Sequence, residues 1–240
     1  MLNNLTMKKI IICFFLFGFV CTHAQQGITS ELTVLLQKKK TSLFNGKNLD
    51  GWYSFLNSKG KNNDPEKVFA IENSLLHISG KEFGYISTDK AYSNFVFAVE
   101  YKWGTKKYPP RDADSVKRDN GICYYFPLNE RDTVWPKSIE CQIQEGDTGD
   151  FWLIDSTTII TNGVRTEPGS FVRIPKKFNG EMPTGEWNRI EIIANNGKLV
   201  YIVNGKIVNE GQAPSVTAGK ILIQSEGAEI YYRKIEIAEL

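Results

Sequence analysis

Asn94-Phe95-Val96-Phe97-Ala98-Val99-Glu100-Tyr101-Lys102-Trp103 places Phe95, Phe97, Val99, Tyr101 and Trp103 at every second position. Side chains alternate across a strand, so these five share one face, and so bulky a face must be buried. Working outward, residues 187–194, 199–203 and Ile207-Val208 predict successive strands. They are joined by Asn196-Gly197 and Asn204-Gly205, the dipeptides of type I′ turns, which need positive φ at both central positions. Residues 219–226 and 229–237 predict a last strand pair across Gly227-Ala228. From residue 43 onward no helical period of ten or more residues survives. The expected fold is all-β, a two-sheet sandwich closed by a meander.

The N-terminus reads differently. Lys8 and Lys9 precede an apolar run at residues 10–20, and Thr22-His23-Ala24 follows as a small-x-Ala cleavage pattern. Residues 1–24 therefore predict a secretory signal peptide, with Met7 as the more typical start. The run of about 11 residues is too short to span a bilayer, which takes roughly 20. The expectation is an exported, soluble protein, periplasmic or secreted, without a membrane span. Lipid anchoring at Cys21 is the lesser alternative, because Val20 stands where a lipobox takes Gly, Ala or Ser. Residues 25–42 predict a tether or a short amphipathic helix, and residues 43–240 one domain. Loss of Lys8 and Lys9 takes the formal charge of +2 to zero, which argues against a nucleic-acid partner, since phosphate binding needs a basic footprint. His77 is the only histidine beyond the signal. A multi-histidine zinc site is thereby excluded, and any Ser-His-Asp triad would need His77. Cys123 and Cys141 either pair in an oxidising compartment or are two small buried residues.

Strand parity also selects candidate functional groups. In residues 139–145, Glu140, Gln142 and Gln144 share the face opposite Ile139, Cys141 and Ile143. In residues 221–226, Gln224 and Glu226 lie beside Leu222. Two such strands would line one binding sheet, or simply present the solvated outer face usual for sandwiches. Glu145-Gly146-Asp147-Thr148-Gly149-Asp150 is an oxygen-rich turn suited to a hard cation such as Ca²⁺, to a carboxylate at the mouth of a groove, or to a plain polar turn. Trp152 is a stacking candidate. Residues 104–119 form a segment too long for a routine hairpin connection, and Arg118 at its end has directed N–H donors for a carbonyl or enolate oxygen. His77 is either an ordinary strand histidine or a site residue.

Several blocks carry a family likeness: Ser42-Leu43-Phe44-Asn45-Gly46-Lys47-Asn48-Leu49-Asp50-Gly51-Trp52, Arg118-Asp119-Asn120-Gly121-Ile122, the stretch from Ser138 through Gln142 and Glu145 to Phe151-Trp152, Gly185-Glu186-Trp187-Asn188, Val203-Asn204-Gly205, Ile223-Gln224-Ser225-Glu226-Gly227 and Tyr232-Arg233-Lys234-Ile235. In this order they resemble the 3-keto-disaccharide hydrolase family. The resemblance implies a jelly-roll, concanavalin-A-like sandwich acting on glycosides oxidised at C3. Asp119-Asn120-Gly121 departs from the family's Asn-Ser-Gly, putting a carboxamide where a hydroxyl is familiar. A C3 ketone acidifies the C2 proton, so a base, an acid and enolate stabilisation suffice, and no redox cofactor is needed. Parity and resemblance together nominate Glu140 or Glu145 as base and Glu226 as acid. Arg118, Asn120, Gln142, Asp147, Trp152, Gln224 and His77 are nominated around an oligosaccharide or glycoside substrate. The competing expectation is a non-catalytic lectin-like module using Trp52, Trp103, Trp135 and Trp152 as platforms. A serine hydrolase would need a Gly-x-Ser-x-Gly elbow, which is missing.

Overall fold

The computed structural model describes residues 29–240, so the predicted signal peptide and Cys21 lie outside the described residues. In chain order the strands are β1 (Thr41–Ser42), β2 (Trp52–Leu56), β3 (Gly60–Lys61), β4 (Phe69–Glu72), β5 (Leu75–Ile78), β6 (Gly84–Thr88), β7 (Phe95–Lys107), β8 (Gly121–Phe126), β9 (Ser138–Gln142), β10 (Phe151–Ile154), β11 (Ile160–Thr161), β12 (Val164–Arg165), β13 (Phe171–Ile174), β14 (Asn188–Asn195), β15 (Lys198–Val203), β16 (Lys206–Gln212), β17 (Lys220–Ser225) and β18 (Ala228–Glu239). They form two antiparallel sheets. The larger runs β12-β11-β16-β15-β14-β7-β18-β5-β4, with β1 on β18, and the smaller runs β13-β10-β9-β8-β17-β6-β2-β3.

The alternating face of β7 does what its pattern demands: Phe95, Phe97, Val99, Tyr101 and Trp103 all lie in the core. Opposite them pack Ile122 and Tyr124 of β8, Ile139 and Cys141 of β9, Phe151 of β10 and Ile223 of β17. Each side chain of this size contributes roughly 1.5–3 kcal/mol when removed from water. Inside the core the Tyr124 and Tyr201 hydroxyls bond each other across the two sheets at 2.8 Å. Asn196-Gly197 and Asn204-Gly205 both adopt the positive φ predicted for them and join β14, β15 and β16 as hairpins.

The last strand pair does not form. β17 pairs with β6 and β8 in the smaller sheet, whereas β18 pairs with β5 and β7 in the larger. Gly227, at φ +83°, turns the chain from one layer into the other. Strand alternation is a local property and cannot distinguish a hairpin from a corner between sheets. β7 also runs three residues past Gly104, to Lys107, so the irregular segment begins at Tyr108.

The short amphipathic helix exists as α1 (Ser30–Leu36), seven residues long and capped by the Thr29 hydroxyl accepting from the Leu32 N–H. Leu32, Leu35 and Leu36 pack on Val96, Ile193, Val200 and Ile202, which would otherwise be bare on the outer face of the larger sheet. Among the described residues no helix is long and apolar enough to cross a membrane.

Cys123 and Cys141 are both free and buried. They sit on adjacent strands, but Cys141 lies opposite Ile122 and Cys123 opposite Glu140, so their side chains leave opposite faces of the sheet. Dithiothreitol is therefore expected to leave the thermal midpoint unchanged, a result that differential scanning fluorimetry reads directly.

Candidate active site

The outer face of the smaller sheet is built in cross-strand rows. Trp152 lies opposite Glu140, Glu140 opposite Cys123, Cys123 opposite Leu222, Leu222 opposite Ser87, and Ser87 opposite Tyr53. In the next row Gln142 faces Gly121, and Gln224 faces Tyr85, which faces Phe55. One end of the face is thus polar and the other aromatic. The loop between β8 and β9, residues 127–137, folds over the aromatic end, where Asp132 Oδ1 accepts the hydroxyls of Tyr53 at 2.8 Å and Tyr85 at 2.6 Å. The polar end stays open as a cleft of about 370 Å³, near the lower bound for small-ligand sites.

Three carboxyls surround this cleft: Asp119 is 4% exposed, Glu140 5% and Glu226 6%. Asp119 comes from the strand-like approach to β8, Glu140 from β9 and Glu226 from the end of β17. Gly121 makes their meeting possible. A Cβ there would stand 2.0 Å from Glu140 Oε1 and 2.2 Å from Gln224 Oε1, so only a residue without a side chain leaves room for both. Burial and the charges of Glu226 and Asp119 push the Glu140 carboxyl well above its usual range, against a lesser opposing bond from Gln224. Burial, then Asp119, lifts Glu226 to about 7 in spite of the Trp135 N–H and the Arg111 charge. Burial also raises Asp119, against Arg111 and Gln144. Desolvation and like charge disfavour ionisation in the same sense, so the three cannot all be anions near neutrality.

Arg111, from the irregular segment after β7, is the cation of the site and pairs with Asp119 Oδ2. The Gln144 amide donates to the same oxygen at 2.9 Å. Asp119 Oδ1, Arg111 Nε and Gln224 Oε1 are buried without a hydrogen-bond partner, three of five such side-chain atoms among the described residues. Unpaired buried polar atoms cost about 1–3 kcal/mol each, and their gathering at one cleft is the expected signature of groups kept for a ligand. Aromatic side chains supply the walls: Trp152, Phe171 and Trp135 line the cleft, and the Trp135 indole N–H donates to Glu226 Oε1.

Of the nominated residues, Glu140, Glu226, Gln142 and Trp152 line the cleft and Gln224 abuts it. Glu145 and Arg118 do not. They pair with each other at 3.0 Å, and Glu145 also accepts the Thr184 hydroxyl at 2.7 Å while lining a separate cleft with Trp103. Although burial opposes it, the Arg118 N–H, Thr184 and the Arg118 charge hold Glu145 below the usual carboxylate range, a poor state for a proton acceptor. Asp147 pairs with Lys117 and Arg173, and Asp150 with Arg173. The oxygen-rich turn is therefore an ion-paired junction whose carboxylates are taken up by basic side chains, Arg173 being shared by Asp147 and Asp150. Among the described residues no group of three His, Cys, Asp or Glu could hold a metal ion. Asn120 faces the core, accepting from Tyr232 and donating to the Gln224 carbonyl, and so ties the sheets together. His77 bonds Glu72 and Glu229 at 2.9 and 3.1 Å from a strand of the other sheet. Its neighbours Leu76 and Ile78 are the ones facing the core, so the imidazole lies on the far side of the sandwich. Trp52 and Trp103 are core residues.

Asp119, Arg111 and Phe171 escaped sequence reasoning as site residues. Asp119 was within reach, since it shares parity with Gly121. Arg111 was not, because nothing local says where a loop folds.

None of the curated proteins compared matches the chain. Among solved structures, a candidate glycosyl hydrolase of Parabacteroides distasonis superposes with a TM-score of 0.60 at 19% identity, covering 90% of this chain and 99% of that one. A Bacillus licheniformis β-glucanase does so at 0.50 with 11% identity, covering 83% and 96%. A Bacillus subtilis protein with a galectin-like fold gives 0.50 at 10% identity, covering 84% and 94%. These likenesses establish the jelly-roll sandwich. Residues 39–238 match the 3-keto-α-glucoside-1,2-lyase-like domain, and with nearly the whole described chain inside that match, the protein belongs to this 3-keto-disaccharide hydrolase family.

Proposed function

We propose that the chain is an exported enzyme that cleaves 3-keto-glycosides by eliminating the C1 substituent and then hydrating the product. One observation carries the reading: three buried carboxyls with different environments share a cleft with a single arginine. Of the three, Asp119 is the one in direct ion pair with Arg111, and its Oδ1 lacks a partner, so it is the base that takes the C2 proton. The C2–H electron pair becomes the C1=C2 bond as the C1–O pair departs with the leaving oxygen. Glu226, poised near 7, gives that oxygen its proton. Glu140, held well above its usual range by burial and the neighbouring carboxyls, stays protonated and with Arg111 donates to the C3 enolate oxygen, as a neutral carboxylic acid in an apolar site can. Water then adds its hydroxyl to C1 and its proton to C2. The signal-like N-terminus supports a location outside the cytoplasm for this chemistry.

The aromatic walls favour a second reading, a saccharide-binding module that performs no chemistry. Methyl 3-keto-α-glucoside and unoxidised methyl α-glucoside separate the two. Release of methanol from the first alone supports the enzyme, and binding of both with no methanol supports the module. In the enzyme, Asp119→Asn is expected to lower kcat/KM by about 10²–10⁴-fold, the usual worth of a positioned base. Full activity of that variant would reassign the base.

A further inference from the structure

We propose that Trp135 couples occupancy of the leaving-group side of the cleft to the proton on Glu226, and thereby selects ring-shaped leaving groups, pyranose or aryl, over small alkyl ones. The inference rests on the preceding reading for its chemistry and on independent geometry for its residue. Trp135 does two things with one side chain. Its N–H edge bonds Glu226 Oε1, and 41% of the residue is exposed at the wall of the cleft.

The ring is held rather than loose. Phe171 meets it edge-on at 5.9 Å and 90°, and Phe83 packs beside it, tilted by 60° at 6.0 Å. Three residues earlier on the same loop, Asp132 is fastened to Tyr53 and Tyr85. An N–H donor stabilises the anionic form of a carboxyl and fixes which oxygen it engages. With Oε1 committed to the indole, Oε2 is the oxygen left to carry a proton. The other groups facing Glu226 are the carboxyl of Asp119, which disfavours its ionisation, Arg111, which favours it, and Glu140, whose own ionisation the Glu226 charge opposes. Among these, Trp135 alone also forms an aromatic wall. A ring stacked on Trp135 therefore sits against the residue that orients the acid, whereas a methyl group occupies the cleft without engaging that wall.

Two variants separate the two roles. Trp135→Phe keeps a ring and deletes the N–H, and Trp135→Leu deletes the ring; thermal midpoints within a few degrees of wild type show that both fold. In the ligand-free protein, carbon-13 NMR of labelled glutamates, with the Glu226 signal identified by its loss in Glu226→Gln, is expected to show the Glu226 titration moved to higher pH in Trp135→Phe. In Trp135→Leu, affinity for unoxidised phenyl glucoside is expected to fall about two- to tenfold, matching an aromatic contact, while affinity for methyl glucoside is kept. On the 3-keto forms, kcat/KM for the phenyl glycoside should fall more than for the methyl glycoside. An unmoved Glu226 titration, or equal losses on phenyl and methyl ligands, overturns the proposal. Because the titration and the unoxidised ligands need no turnover, failure of the enzymatic reading would show as inert 3-keto substrates with these two results intact.

Discussion

Glu226→Gln is expected to abolish the proton supply to the leaving oxygen and cut kcat on 3-keto-glycosides by about 10²–10⁴-fold, while leaving binding of the unoxidised glycoside nearly unchanged. In the wild type the step that needs protonated Glu226 slows as pH rises through about 7. The same carboxyl links activity to stability. Its folded pKa lies above the ordinary 4.5, so between about 4.5 and 7 the native state holds more protons than the unfolded chain and stability falls as pH rises. Lifted from 4.5 to about 7, one buried group is worth about 3 kcal/mol at 1.36 kcal/mol per unit, lost in full above pH 7. Glutamine carries no such burden. Thermal melts at about pH 5 and about pH 8 should therefore show a wild type that weakens toward alkaline pH and a Glu226→Gln variant that weakens less, more stable and inactive together, as expected where a site is held under strain for function. A variant that keeps the wild-type slope would show that Glu226 is ionised throughout.

Gly121→Ala should rank with loss of a catalytic carboxyl, although it adds only one methyl group. Its Cβ would overlap Glu140 Oε1 at 2.0 Å, Glu140 Cδ at 2.7 Å and Gln224 Oε1 at 2.2 Å. Both side chains must move, and the donor to the enolate oxygen moves with them. Misplacement of a reacting group by about 1 Å costs about 10²-fold. The backbone of Gly121 needs no positive φ, so the strand tolerates alanine and the stability loss stays near 1–3 kcal/mol. Gly205→Ala is the control: φ is +77° and nothing lies within 4 Å of a Cβ there, so it should cost stability without touching kcat/KM. Steady-state kinetics with thermal melts on the two variants checks the contrast, and wild-type activity in Gly121→Ala would remove Glu140 and Gln224 from the reaction.

Alternation alone placed the core face of β7, and two Asn-Gly pairs placed the hairpins, because both depend on a few consecutive residues. The same period of two put Glu140 with Gln142, and Gln224 with Glu226, on single faces, and so found half of the cleft. Glu145 and Asp147 looked equally suitable in sequence. Unlike Glu140 they meet Arg118, Lys117 and Arg173, partners that arrive from other segments. The sheet to which β17 and β18 belong was likewise undetermined, since an amphipathic strand satisfies its pattern in either layer. By itself the sequence determined strands, turns and faces, which are short-range consequences of side-chain size and backbone freedom. Tertiary structure alone decided which faces meet, which carboxyls keep an ion-pair partner, and that Arg111 and Trp135 come from loops to complete the cleft, because those outcomes depend on burial and charge between residues far apart in the chain.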